Sequence, residues 1–443
     1  MPLQFRSSGI RGRYPTEVGP SVASELARAL CRNPGTEVSL GRDPRFSGPV
    51  LKASFSSAAL EAEAHILDYD LVPTPALSFE TRARGNRWGV MITASHNPPQ
   101  YNGFKVFNAK GEAVDDVTEL RSSPRSADRG KNGVWKYESA RPTGYKSRLA
   151  TISFDRKWKV VVDPGNGAAS ELAPEIYGNL LDSATSINSM PDGEFSARGS
   201  EPTRQSTRML QEIVTKTGAM AGVAFDGDAD RMVLVDEKGD CPLQDRVLGA
   251  YIRSLALRSK GPFLIPLDAS MAIDEVVEKH GGRIVRGPVG DAKLLREVKR
   301  WKASFAGEPS GAWIHTNFNP CPDGILSGLL FLKAVEEDGD SVSAYLDDVP
   351  EYYMIRRSLL GKLRPGKAEW LANHLGKVVG AGSSISDKYG LRVSTDKSWV
   401  LVRESGTEPV IRVTGESKER AGAARIIRET LRLVRQALKG KPS

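Results

Sequence analysis

The chain has 443 residues, of which 40% are hydrophobic and 26% charged, which suits a soluble protein of several domains. No run of about 18 apolar residues occurs, so a spanning helix is not expected, and "MPLQFRSSGIRG" lacks the apolar core of a signal peptide. The net charge of +8 is spread along the chain without interleaved aromatics, which argues against a nucleic-acid groove and leaves a solvated basic surface or a site for anionic small molecules. Cys31, Cys241 and Cys321 are far apart and odd in number, which argues against a disulfide framework or a cysteine-based zinc site and fits a reducing, cytoplasmic setting.

In chain order, "TEVSLGRD" near residue 40 reads as a short strand ending in a charged turn. "KWKVVVDPGNGAASELAPEIYGNL" (157–180) reads as strand, turn and helix, and "GPFLIPLDASMAIDEVVEKHGG" (261–282) repeats that order. A spacing of about a hundred residues suggests three related α/β units. "RSSPRSADRGKNG" (121–133) is polar and reads as a surface loop. The end differs: "LRVSTD", "SWVLVRES" and "VIRVTGES" follow one another as strands. A helix with Ile427, Leu431, Val434 and Leu438 on one face then closes a small α+β domain.

Four segments carry chemistry. In "MITASHNPPQYNGFKVF" (91–107) the prolines stop any helix, which leaves Ser95 on a rigid loop, either as a nucleophile or as a serine bonded to its own turn. "VAFDGDADRMVLVDEKG" puts Asp226, Asp228 and Asp230 at alternate positions, which an extended segment would point to one face. Three such carboxylates repel one another unless a cation sits among them, and hard oxygen ligands suit Mg²⁺ or Ca²⁺. An EF-hand is rejected, since Arg231 stands where that loop needs glycine. "GEPSGAW" (307–313) offers Glu308 and Ser310 on a glycine-bounded loop, able to bond sugar hydroxyls or simply to form a turn. In "RESGTEPVIRV" (403–413), Arg403 and Arg412 bracket Ser405, Gly406 and Thr407, a set of donors suited to phosphate.

Together and in this order, these segments resemble the α-D-phosphohexomutase superfamily, which includes phosphoglucomutase, phosphomannomutase and phosphoglucosamine mutase. "TASHNPPQYNGFK" looks like its phosphoserine loop, "DGDADR" its metal loop, "GEPSG" its sugar loop and "RESGTEP" its phosphate loop. "SGIRG" (8–12), "GRDPRFSG" (41–48), "VPTPAL" (72–77) and "PDGEF" (191–195) are further echoes. The resemblance implies an α/β fold: three related α/β domains with mixed sheets plus a C-terminal α+β domain around a central active-site cleft. The boundaries expected are 1–150, 151–248, 249–353 and 354–443.

The resemblance also implies roles. Ser95 would be phosphorylated and, with Asp226, Asp228 and Asp230, would hold one Mg²⁺. Lys105 and His96 would be candidates for proton transfer, and Arg11 and Arg231 would contact the transferring phosphoryl group. Glu308 and Ser310 would hold sugar hydroxyls; Arg403, Ser405, Gly406, Thr407 and Arg412 would hold the phosphate that is not reacting. A hexose 1,6-bisphosphate would be the intermediate and activator. The implied partners are small sugar phosphates, with no nucleic acid and no membrane, on a monomer or homo-oligomer. Many bacterial members have His after the "SG" of the sugar loop, where this chain has Ala312 and Trp313. "GEPSGAWI", "NPCPDGILSG" and "GPVGDAK" look most like archaeal phosphoglucosamine mutase-type members, which points to glucosamine phosphate, with the mannose and glucose phosphates as the alternative. A non-catalytic sugar-phosphate-binding protein is the rival from another class.

Overall fold

The computed structural model describes residues 9–115, 136–363, 366–386, 388–404 and 410–439. The polar segment 121–133 and Ser405, Gly406 and Thr407, which the resemblance assigns to a phosphate loop, lie outside them. The chain forms two compact units, one of Met1–Val247 with Gly290–Asp347, the other of Leu248–Val289 with Asp348–Ser443.

In the first unit, a seven-stranded mixed sheet begins with Ile10–Arg13. It continues through Tyr101–Asn108, Trp88–Ile92, Glu37–Arg42 and His65–Leu71 to Lys136–Ser139, with Ala113–Val114 beside Tyr101–Asn108. Glu37–Arg42 runs parallel to both of its neighbours. It therefore lies inside the sheet, and its "VSL" is wholly buried, as expected of a strand covered on both faces. Helices Pro20–Leu30 and Gly48–Glu61 bury Leu26, Leu30, Leu51 and Phe55 in one core with Val38, Leu40, Val90 and Phe104.

A second sheet orders Met232–Asp236, Ala221–Phe225, Lys159–Asp163 and Ser183–Ser186. Its first pair is an antiparallel hairpin whose ten strand residues are all buried. The same unit holds the short hairpin Phe305–Gly307 with Trp313–His315 and the helix Gly324–Asp338. Asp323 caps that helix, accepting from the Leu326 N–H at 2.9 Å. Burial pushes the Asp323 carboxyl up to about 7, while that N–H and the Tyr145 hydroxyl pull the other way.

In the second unit, Phe263–Pro266 runs parallel to Ile284–Gly287. A five-stranded antiparallel sheet runs Tyr353–Leu360, Val410–Ser417, Ser398–Glu404, Leu391–Ser394, Ser384–Ser386. Helices Lys367–Val379 and Arg420–Lys439 pack on it through Leu371, Leu375, Ile427 and Val434. The three strands and the long helix expected from the sequence are present. Tyr353–Leu360 was not expected: it is a half-exposed edge strand without alternation of apolar and polar residues. All three cysteines are buried, and burial holds the Cys31 thiol up at about 12.

Gly311 turns the short hairpin with φ +87°, and a Cβ there would stand 2.0 Å from the Met232 carbonyl oxygen. Gly311→Ala should therefore lower stability by about 1–3 kcal/mol, read from urea denaturation. An unchanged midpoint would refute the close approach.

Candidate active site

The site is assembled from loops at strand ends of the first unit. Loop 93–100 follows Trp88–Ile92 and brings Ser95; loop 226–231 joins the buried hairpin and brings the three aspartates. The aspartate segment is a turn and not the extended strand that alternate spacing implied. Ala229 has φ +59°, and its N–H donates to the Asp226 carbonyl at 3.0 Å. The carboxylates gather all the same: one oxygen from each lies within 4.8 Å of the others.

Ser95 is 1% exposed, and its Oγ donates to Asp226 Oδ2 at 2.6 Å. His96 Nδ1 is 3.3 Å from the same Oγ. Lys105 lies in the adjacent strand opposite Met91; its Nζ donates to Asp228 Oδ2 at 2.7 Å and to Asp230 Oδ2. Thr74 Oγ1 also donates to Asp228 Oδ2, at 2.5 Å. The Arg231 N–H donates to Asp226 Oδ1 at 3.1 Å, and the Arg231 guanidinium lies 3.9 Å from Asp230 Oδ1. Arg11 Nη1 donates to Asn97 Oδ1 at 3.2 Å.

Burial sets the electrostatics. It raises the Asp226 carboxyl, with Asp230 and Asp228 adding to the effect, and it raises Asp230 with help from Asp228. It would raise Asp228 too, but the Lys105 ammonium and the bonds from Lys105 and Thr74 hold that group well below the usual carboxylate range. Burial opposes the charge on Lys105, yet Asp228 and Asp230 raise its affinity for the proton, so it stays an ammonium. Burial, then Arg231 and Arg11, depress His96 to about 2, so its ring is neutral at pH 7.

The residues fit a divalent cation. Asp228 Oδ1 and Asp230 Oδ1 are buried and accept no hydrogen bond. Unsatisfied carboxylate oxygens in a dry site cost several kcal/mol each unless an ion takes them. Hard oxygens of this kind, joined by Ser95 Oγ, suit Mg²⁺.

The residues of "GEPSG" (307–311) are in the same unit. Glu308 is buried; its Oε1 accepts from the Gly290 N–H at 2.7 Å, and its Oε2 accepts from Ser310 Oγ at 3.3 Å. Ala312 and Trp313 are buried, and Trp313 packs edge-on against Phe305, so neither replaces the absent histidine. Arg403 and Arg412 belong to the second unit. They sit opposite each other on antiparallel strands, hence on one face, and Arg403 Nη2 donates to Asp268 Oδ2 at 3.4 Å.

Sequence reasoning gave no role to Asp43, Arg45, Thr74, Thr93 or Asn97. The strings "GRDPR" and "VPTPAL" carry three of them, and a D-x-R at the carboxyl end of a buried parallel strand was the available signal.

The chain matches the models for phosphoglucomutase/phosphomannomutase α/β/α domain I over residues 2–121, domain II over 144–239 and domain III over 244–353, and the C-terminal domain over 364–433. It belongs to the phosphoglucomutase/phosphomannomutase family, whose members are isomerases that move a phosphoryl group on a hexose. It is 32% identical to a phosphoglucosamine mutase of Methanococcus maripaludis, over 98% of this chain and 99% of that one. It is 36% identical to a protein of Methanothermobacter thermautotrophicus named "Probable phosphoglucosamine mutase", over 97% of both chains. A crystal structure of a phosphoglucomutase/phosphomannomutase family protein from Burkholderia thailandensis superposes with a TM-score of 0.85 at 26% identity, covering 99% of this chain and 98% of that one.

Asp228→Asn should weaken Mg²⁺ binding at least about tenfold, because it removes one of three charges at the ion. The check is the thermal shift produced by Mg²⁺ titration: wild-type protein should be stabilised and the variant much less so. Equal shifts would remove the metal assignment.

Proposed function

We propose that this protein interconverts the 1- and 6-phosphates of glucosamine through a phosphoserine at Ser95. The observation that carries this reading is the approach of Ser95 Oγ to Asp226 Oδ2 at 2.6 Å, beside two buried carboxylate oxygens that accept no hydrogen bond. The relatives named as phosphoglucosamine mutases supply the sugar.

The chain's own groups have these parts. Phospho-Ser95 gives its phosphoryl group to the free hydroxyl of a hexose phosphate: the serine Oγ–P bond breaks as the sugar O–P bond forms. The 1,6-bisphosphate reorients, and its other phosphoryl group returns to Ser95, releasing the isomer. Phosphoserine and three aspartates total about −5 in charge, which Lys105, Arg11 and Arg231 offset in part. A Mg²⁺ held by the aspartates and Ser95 would supply the rest and polarise the phosphoryl oxygens. His96, neutral and beside Oγ, can take a proton, and Lys105, protonated, can give one. Glu308 and Ser310 hold sugar hydroxyls. Arg403, Ser405, Gly406, Thr407 and Arg412 hold the phosphate that is not reacting, so one cradle serves both halves of the cycle.

The test offers purified protein the 1- and 6-phosphates of glucosamine, glucose and mannose, with Mg²⁺ and a trace of bisphosphate. Glucosamine phosphate should give the highest kcat/KM. No isomerisation of any sugar would discard the reading, and a preference for mannose or glucose would reassign the substrate. Ser95→Ala should abolish turnover with the fold retained by circular dichroism. Arg403→Ala should raise KM about tenfold with a smaller change in kcat, since that residue binds a phosphate present throughout; unchanged kinetics would remove it from the cradle.

A further inference from the structure

The Ser95 loop turns its carbonyls towards one buried cation. Arg45 Nη2 donates to the carbonyls of Ser95 at 2.8 Å and Asn97 at 2.7 Å. Its Nη1 donates to those of Pro98 at 2.6 Å and Tyr101 at 2.9 Å, and its Nε to Asp43 Oδ2 at 2.9 Å. A guanidinium has five N–H groups, and these five acceptors use them all. The Arg45 side chain is fully buried, with the Phe195 ring centred 5.0 Å from its guanidinium carbon.

A second leg reaches the same serine. Thr93 Oγ1 donates to Asp43 Oδ2 at 2.7 Å and accepts from the Ser95 N–H at 2.8 Å. Both polar groups of the Ser95 backbone are thus tied to one ion pair, the carbonyl directly and the N–H through Thr93. They hold the residue at φ +52°, a left-handed conformation that a side-chain-bearing residue rarely adopts. The far side of the carbonyl is closed by Gly227, where a Cβ would stand 2.6 Å from the oxygen.

We propose that Arg45, Asp43 and Thr93 are positioning residues for phosphoryl transfer. They fix the Ser95 backbone so that Oγ has one direction, towards Asp226. This rests on the reading that Ser95 is the phosphoryl carrier. When a bisphosphate charges the enzyme, the Oγ–P bond forms as the P–O bond to the sugar breaks, and the serine proton ends on the sugar oxygen. Because Ser95 is acceptor in one half-reaction and donor in the other, a misplaced Oγ slows both. A displacement of about 1 Å costs on the order of 10²-fold. Lysine cannot stand in for Arg45, since its three donors leave two of the five acceptors unpaired.

The test compares Thr93→Val, Thr93→Ser and Arg45→Lys with wild type and with Ser95→Ala, well below each melting temperature. Incorporation of phosphate into Ser95 from glucose 1,6-bisphosphate is followed by mass spectrometry in single turnover, with steady-state kcat and KM alongside. Thr93→Val should slow incorporation about 10- to 100-fold with KM within about twofold of wild type. Thr93→Ser, which keeps the hydroxyl, should stay within about threefold, and Arg45→Lys should be slower than Thr93→Val. Thr93→Val at the wild-type rate, or equal losses in Thr93→Val and Thr93→Ser, would overturn the proposal. If Ser95→Ala takes up phosphate or turns over, the carrier reading falls first, and that outcome is distinct from the others.

Discussion

The first unit is organised around a charge problem. Three carboxylates with oxygens inside 4.8 Å of one another are buried where water cannot solvate them. In such a place an unbalanced charge costs several kcal/mol, so each must face a cation or bind a proton. Lys105 answers for Asp228 and Asp230, and Asp226 is left with a hydroxyl and an N–H. The Ser95 hydroxyl thus sits beside the one of the three carboxylates that Lys105 does not bond.

Close approach of backbones follows from that constraint. The serine and aspartate loops come from different sheets, yet Gly227 has no room for a Cβ beside the Ser95 carbonyl. The helix Gly324–Asp338 closes on the same turn, since the Gly324 N–H donates to the Ala229 carbonyl at 3.1 Å and a Cβ there would meet the Arg231 carbonyl oxygen at 2.5 Å. Both loops stand at the carboxyl ends of strands in parallel pairings, the usual place for ligands in α/β sheets. Each loop leads into an antiparallel strand of its own sheet, so the groups that meet come from strand-turn-strand connections and not from the strand-turn-helix order seen in the sequence.

Much of this site was legible because its chemistry is contiguous. "DGDADR" brings three carboxylates in five residues, and "TASHNPPQYNGFK" carries Ser95, His96 and Lys105 together. What was illegible acts across the chain. Arg45 bonds carbonyls about fifty residues away, and Thr74 reaches Asp228 from 154 positions earlier; neither residue type announces such a partner. The shape of the aspartate turn was also hidden, because alternate spacing fits a strand as well as a loop, and only the positive φ of Ala229 decides it. Tyr353–Leu360 escaped because this edge strand packs on the core only through partly buried residues such as Ile355 and Leu359, with Arg357 exposed between them, which leaves no period-two pattern.

The buried cysteines have a consequence outside sugar chemistry. Alkylation and sulfenylation both need an accessible thiolate. Burial keeps Cys31, Cys241 and Cys321 protonated and out of reach, with Cys31 at about 12. Peroxide or an electrophile therefore finds no reactive thiol among the three cysteines of the folded protein, and thiol modification reports only on molecules that have opened.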